Sequence, residues 1–254
     1  MVRGLSNFHA AQIIAARTEA PFTSIEDVWR RSGVPVAALE KLADADAFAS
    51  LGLDRRQALW RVRGLGEAPL PLFAAADAMG SEPDVKLAPL TGGREVVEDY
   101  RSVQLSLRGH PLAFLRPGLE RRRFIPCAGL ARLKDGARVE LAGLVLIRQR
   151  PGKGNVTFIT LEDETGIANI ILWQRKFEEQ RRIVMGAAMI GVKGVMQKEG
   201  DVVHIVADRL EDLTPLLHRV GAMDFPHRFA PADGGRGATP DPRGVIKVKS
   251  RDFH

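Results

Sequence analysis

Residues 148–155, RQRPGKGN, bring Arg148, Arg150, Lys153 and Asn155 together around Pro151, Gly152 and Gly154. Cations on a glycine-bearing loop suit phosphate oxygens. The charge neutralises the diester, and glycine lets backbone approach backbone. The spacing is neither that of a P-loop nor that of a dinucleotide fingerprint, and no helix follows. A β-rich run, VTFITL, comes next, and then the turn EDETG. Side chains alternate along a strand, so with Ile159 and Leu161 facing a core, Phe158 faces out beside Thr160. Along NIILW, Trp173 shares a face with Asn169 and Ile171. Outward aromatic rings beside cations stack bases without reading their order. The plainer readings are a solvated hairpin tip and two core aromatics. Lys198 lies in a second turn, QKEGD at 197–201.

A second candidate site is VRGLSNFHAAQIIAAR at the N-terminus. Its form, hxGhxxxxAxxI with Ser6 where a second Gly is often found, resembles a helix-hairpin-helix element. A tight turn there aims backbone N–H groups and a helix N-terminus at a phosphate. Gly4, Ser6, Asn7 and His9 would line it; the alternative is a packing unit of two ordinary helices. A third is APLPLF at 68–73, an extended apolar peptide ending in Leu70, Leu72 and Phe73. Such a segment either docks into a partner's groove or lies along its own domain.

The elements that must hold these residues follow from periodicity. FHAAQIIAAR has Ala10, Ile13 and Ile14 at helical spacing. SIEDVWRRSG begins at a capping Ser24, PVAALEKLADADAFASLG ends at Gly52, and Asp54 caps RRQALWRVRG. Residues 1–65 thus read as a helical, helix-hairpin-helix-like domain. Residues 66–94 read as a Pro/Gly-rich linker and 95–136 as a helical connector. Five β-rich runs fill 137–213, with KFEEQRRIV helical between the third and fourth. That order is the layout of the OB-fold, whose strand 2–3 face and 1–2 and 4–5 loops bind oligonucleotides. Residues 214–254, rich in Pro, Gly and Arg, read as an irregular basic arm. The expected fold is a multidomain α+β chain: helical domain, five-stranded barrel, irregular C-terminal arm.

Bulk properties narrow the classes. The 254 residues are 45% hydrophobic and 27% charged, which suits a globular protein. No apolar run reaches the length of a membrane span, and the N-terminus has no apolar signal core, so a cytoplasmic location is expected. The single Cys127 fits a reducing compartment, and the scattered histidines offer no metal site. The net charge is +6. From Leu119 to Val156 there are nine Lys/Arg against three acids, so this one segment holds a surplus equal to that of the whole chain. A localised basic surplus fits nucleic-acid binding, and also a solvated charged face.

Several stretches in one order carry a resemblance: VRGLSNFHAAQIIAAR, ADAFASLGLDRRQALW, SLRGHPLAFLRP, LAGLVLIRQRPGKGNVTFITLEDETGIANIILW and KVKSRDFH. Together they resemble the C-terminal quarter of the bacterial error-prone DNA polymerases, C-family alpha subunits of damage-induced mutagenesis. The resemblance implies a parent that adds deoxynucleotides across lesions with Mg²⁺. The palm aspartates needed for that chemistry are absent from this sequence, so the fragment is expected to have no catalytic residues or cofactor and to be inactive alone. Implied partners are single-stranded and primer-template DNA and a Y-family-like accessory protein. Pro69-Leu70-Pro71-Leu72-Phe73 occupies the slot of a sliding-clamp peptide, Gln-x-x-[Leu/Met]-Phe, with Pro69 in place of the Gln. Clamp binding and recruitment through the accessory protein both stay open. The rival readings are a protein-interaction scaffold and an OB module of tRNA-binding type.

Overall fold

The structure, a computed structural model, describes residues 2–65, 87–152, 154–200, 202–224, 246 and 251–253. The chain divides into two compact units: Met1–Leu90 with Arg101–Val103, and Thr91–Tyr100 with Gln104–His254.

The first unit contains α1 (Asn7–Glu19), α2 (Ile25–Ser32), α3 (Val36–Asp44) and α4 (Arg55–Arg63). Each start but one has a side-chain cap that satisfies an orphan backbone donor. Ser6 Oγ accepts from His9 N–H and Ser24 Oγ from Asp27 N–H, each at 3.1 Å. Asp54 and Gln57 form a reciprocal capping box. α3 begins after Pro35, with no side-chain cap. Ile25, Val28, Val34, Leu39, Phe48 and Val62 are among the buried residues of one core.

The second unit is built on a closed five-stranded barrel. Its strands are β1 (Arg138–Gln149), β2 (Val156–Asp163), β3 (Gly166–Trp173), β4 (Met189–Glu199) and β5 (Val202–Asp212). They pair in the circuit β1–β2–β3–β5–β4–β1, parallel only between β3 and β5. Leu141, Val145, Ile159, Leu161, Ile170, Leu172, Val192 and Ile205 are among the residues that fill the interior. A second core lies outside the barrel, where Ala142, Leu144 and Met189 meet α5 (Gly92–Ser102), α6 (Pro111–Arg121) and α9 (Thr214–Val220). Covered on both sides, the middle of β1 is buried at five consecutive positions. At Gly194 a Cβ would lie 2.3 Å from the Val206 carbonyl oxygen, so β4 and β5 approach there only because no side chain intervenes.

Two segments depart from the sequence expectation. KFEEQRRIV is broken at Gln180 into α7 (Gln174–Glu179) and α8 (Arg181–Gly186). The C-terminal arm is not irregular throughout. α9 forms because Pro215 sits in its first turn and Leu217 and Val220 bury against the second core. Ile246 is buried in the same core. The backbone of β6 (Arg251–Phe253) pairs in parallel with Ile147–Gln149, on the stretch of β1 beyond its pairing with β4.

One polar cluster ties α6 to the β2–β3 turn. Asp163 Oδ1 accepts from the Thr165 hydroxyl and amide at 2.6 and 2.7 Å and from Gly166 N–H at 3.1 Å. Its Oδ2 accepts from Cys127 N–H at 2.7 Å and Arg116 Nη2 at 3.0 Å. Arg116 also grips Glu164 through Nε and Nη2. Burial alone would raise the Asp163 pKa, but the bonds from Thr165 and Cys127 and the Arg116 charge together lower it. The buried Cys127 thiol beside it is pushed up to about 12, with no thiolate character at neutral pH.

Asp163→Asn should therefore cost about 1–3 kcal/mol in denaturant unfolding, since the amide cannot accept all the bonds the carboxylate takes and Arg116 keeps only Glu164 as its charged partner at this turn. A folded carboxyl with a lowered pKa stabilises above the unfolded carboxyl range, and that stabilisation disappears as pH falls below about 4. Unfolding midpoints measured from pH 6 to pH 3 should fall more steeply for the native chain than for the Asn variant. Gly194→Ala should cost about 1–3 kcal/mol in the same assay by prising β4 from β5.

Candidate nucleic-acid interface

The register across β2 and β3 builds the candidate face. Phe158 lies opposite Ile171, Thr160 opposite Asn169, and Val156 opposite Trp173. Opposed residues of an antiparallel pair point to the same side. Ile159, Leu161, Ile170 and Leu172 fill the barrel, so this set faces out. Phe158 is 37% exposed and Trp173 53%. A polar row crosses the same surface: Thr160 and Asn169, then His204 across the β3–β5 pair and Gln197 across β4–β5. Sequence reading missed His204 and Gln197, because only the parallel β3–β5 pairing brings them beside Asn169.

The loop between β1 and β2 closes one end of this face. Gly154 N–H donates to the Pro151 carbonyl at 3.1 Å, and Gly152 takes a left-handed φ of 55°. The Asn155 carbonyl accepts from Gln174 N–H at 2.7 Å, fastening the loop to the start of α7. Arg150 is exposed. Its Nε donates to the Gly154 carbonyl at 3.3 Å, and its guanidinium lies 5.2 Å from the Phe177 ring centroid. Lys198 is exposed beyond the opposite end, its amide donating to Asp135 Oδ1 at 2.9 Å. Lys153, Leu70, Leu72 and Phe73 lie outside the described residues.

Arg148 is a correction. It was expected on the rim with Arg150, but it pairs in register with the buried Ile159, and its Nη2 donates to the Ala187 carbonyl. The cause is a β-bulge. Val145 pairs with Leu161 and Ile147 with Thr160, so Leu146 is an extra residue that shifts the phase of everything after it. An unbroken strand would carry Arg148 on the outer side with Leu144; the bulge turns it inward. The basic surplus around it is also partly spent within the fold, as Arg122 pairs with Glu211 at 2.6 Å.

At the N-terminal candidate, Gly4 adopts φ 79°, Ser6 caps α1, and Asn7 is its first residue. Ser6 Oγ takes the amide of His9, while the other first-turn amides have no intrahelical acceptor. The same construction recurs at Gly52 (φ 73°), Leu53 and the cap Asp54, ahead of α4. The repeat Gly-Leu-Ser and Gly-Leu-Asp was the signal in the sequence that could have revealed this second hairpin.

Comparison with known proteins gives the context for both sites. The helix-hairpin-helix motif family matches residues 1–58, and the OB-fold nucleic acid binding domain family matches residues 139–213. Error-prone DNA polymerase 1 of Agrobacterium fabrum is 52% identical, over 100% of this chain and 26% of its own. Error-prone DNA polymerase 2 of Rhizobium meliloti is 48% identical over the same shares, and the Allorhizobium ampelinum enzyme 47% over 96% and 23%. The chain matches a fragment of the error-prone DNA polymerases. It spans about a quarter of the length of these curated relatives. Asparaginyl-tRNA synthetase from Pyrococcus horikoshii, a solved structure, is 22% identical with a TM-score of 0.30, covering 35% of this chain and 23% of that one, too distant for any argument.

Arg148→Ala should act on the barrel. The expected effect is a stability loss of about 1–2 kcal/mol from the missing guanidinium–carbonyl bond, read by chemical denaturation.

Proposed function

We propose that this chain is the C-terminal DNA-binding and partner-docking region of an error-prone DNA polymerase of translesion synthesis and damage-induced mutagenesis. In this reading the helix-hairpin-helix unit holds duplex phosphates of the primer-template through Gly4, Ser6, Asn7 and His9. The barrel holds the single-stranded template on Phe158 and Trp173, with Asn155, Arg150, Lys153 and Lys198 along its path. The observation that carries it is the pair of outward aromatic rings on the β2–β3 face, at the end where Arg150 stands. Stacking on such rings holds any base, which suits a polymerase that must accept damaged templates.

The parent's nucleotidyl transfer, its Mg²⁺ and its cytoplasmic location belong to the same proposal. Among the described residues no group of three His, Cys, Asp or Glu is placed to hold a metal ion. No step through Mg²⁺ is assigned to the described residues. No helix among the described residues is long and apolar enough to cross a membrane.

A docking role for the accessory protein or sliding clamp is the second reading. Ile167 and Val202, 60% and 50% exposed at the far end of the barrel face, favour it. Capture of those proteins in high salt, where DNA contacts fade, and its loss in Ile167→Ser/Val202→Ser would support it.

For the first reading, anisotropy with a short single strand is the test. Phe158→Ala and Trp173→Ala should each weaken binding of an all-thymine strand by about 1–3 kcal/mol. With Arg148 turned inward, two or three phosphate contacts remain, so log affinity against log salt should have a slope of about −1.5 to −2. Unchanged affinity in the double aromatic variant would refute the barrel's role.

A further inference from the structure

The ring of Trp173 borders an open hollow of about 590 Å³ that also involves Asn155, Gln174, Arg175, Glu178 and Glu179. We propose that this hollow reads one unpaired base of the bound strand and prefers guanine. The inference rests on the barrel face being the single-strand site, and it adds base selectivity to a surface otherwise indifferent to sequence.

The donor set makes the argument. Trp173 offers a half-exposed aromatic plane at the end of β3, a stacking surface for a base leaving the β2–β3 face. Asn155 and Gln174 are held together by the bond between their backbones, and each side-chain amide both donates and accepts. The carboxylates set the preference. Glu179 is engaged by Lys176 at 3.1 Å and lies 3.9 Å from Arg175, whereas Glu178 is exposed at the hollow. A carboxylate only accepts. Guanine presents two adjacent donors on its pairing edge, the ring N–H and the amino group, and a carboxylate meets both at once. Adenine and cytosine present one amino donor beside a ring acceptor. Thymine presents two carbonyls around a single N–H and sets lone pairs against the carboxylate. Arg175, with a largely exposed side chain, supplies a cation for the phosphate attached to the base.

The test compares two strands of about a dozen nucleotides, the length an OB-fold site covers. One is all thymine; the other has one central guanine. The native chain should bind the guanine strand about fivefold or more tightly, as bidentate base readout provides. In Glu178→Ala, with its melting temperature retained, the ratio of the two affinities should fall to about one. Glu178→Gln, of the same size, gives the same loss should the alanine variant unfold. Equal affinities in the native chain, or a preference that survives both substitutions, overturn the guanine site while leaving the barrel face as a single-strand site. Failure of the native chain to bind either strand overturns both.

Discussion

Successive side chains of a β-strand point to opposite sides, and in a closed barrel one side is committed to the core. The strand-binding face proposed for the barrel depends on that constraint. Once Ile159, Leu161, Ile170 and Leu172 are fixed inside, Phe158 and Trp173 have no place but the outside. The same rule removes Arg148 from the rim, because one extra residue in β1 reverses the phase of the strand just before its basic loop. The face that results is more aromatic and less cationic than the loop sequence implies.

The cluster around Asp163 gives that face a fixed position. A carboxylate that accepts five hydrogen bonds at a hairpin turn holds β2 and β3 in register, and Arg116 carries the constraint to α6. The turn read in the sequence as EDETG is thus a structural joint, and two of its acids, Asp163 and Glu164, are spent inside the protein. This has a consequence for charge. Of the residues that make the chain basic, several work within the fold: Arg116 at this joint, Arg148 against Ala187, Arg122 against Glu211. Net charge overstated the cations available to a ligand.

Much of the architecture was legible because it rests on short-range rules. The five strands, the caps at Ser24 and Asp54 and the outward Phe158 all follow from alternation or local hydrogen bonding. What escaped depends on contacts distant in sequence. A bulge leaves no mark in composition, so Arg148 was misplaced. The row of Asn169, His204 and Gln197 exists only through strand pairing. α9 and the backbone of β6 take shape on a core and a strand edge built by residues far upstream, which a Pro- and Gly-rich stretch does not announce.

On the proposed reading, a single DNA strand lies on the outer face of β2 and β3. Titrating the isotopically labelled chain with a short single strand and following amide and indole resonances by NMR tests it most directly. Shifts should concentrate at Val156, Phe158, Thr160, Asn169 and Ile171 and at the Trp173 indole, with the amides of β1 at Leu141–Leu144 unmoved. Shifts that spare the Trp173 indole and gather on another surface would contradict it.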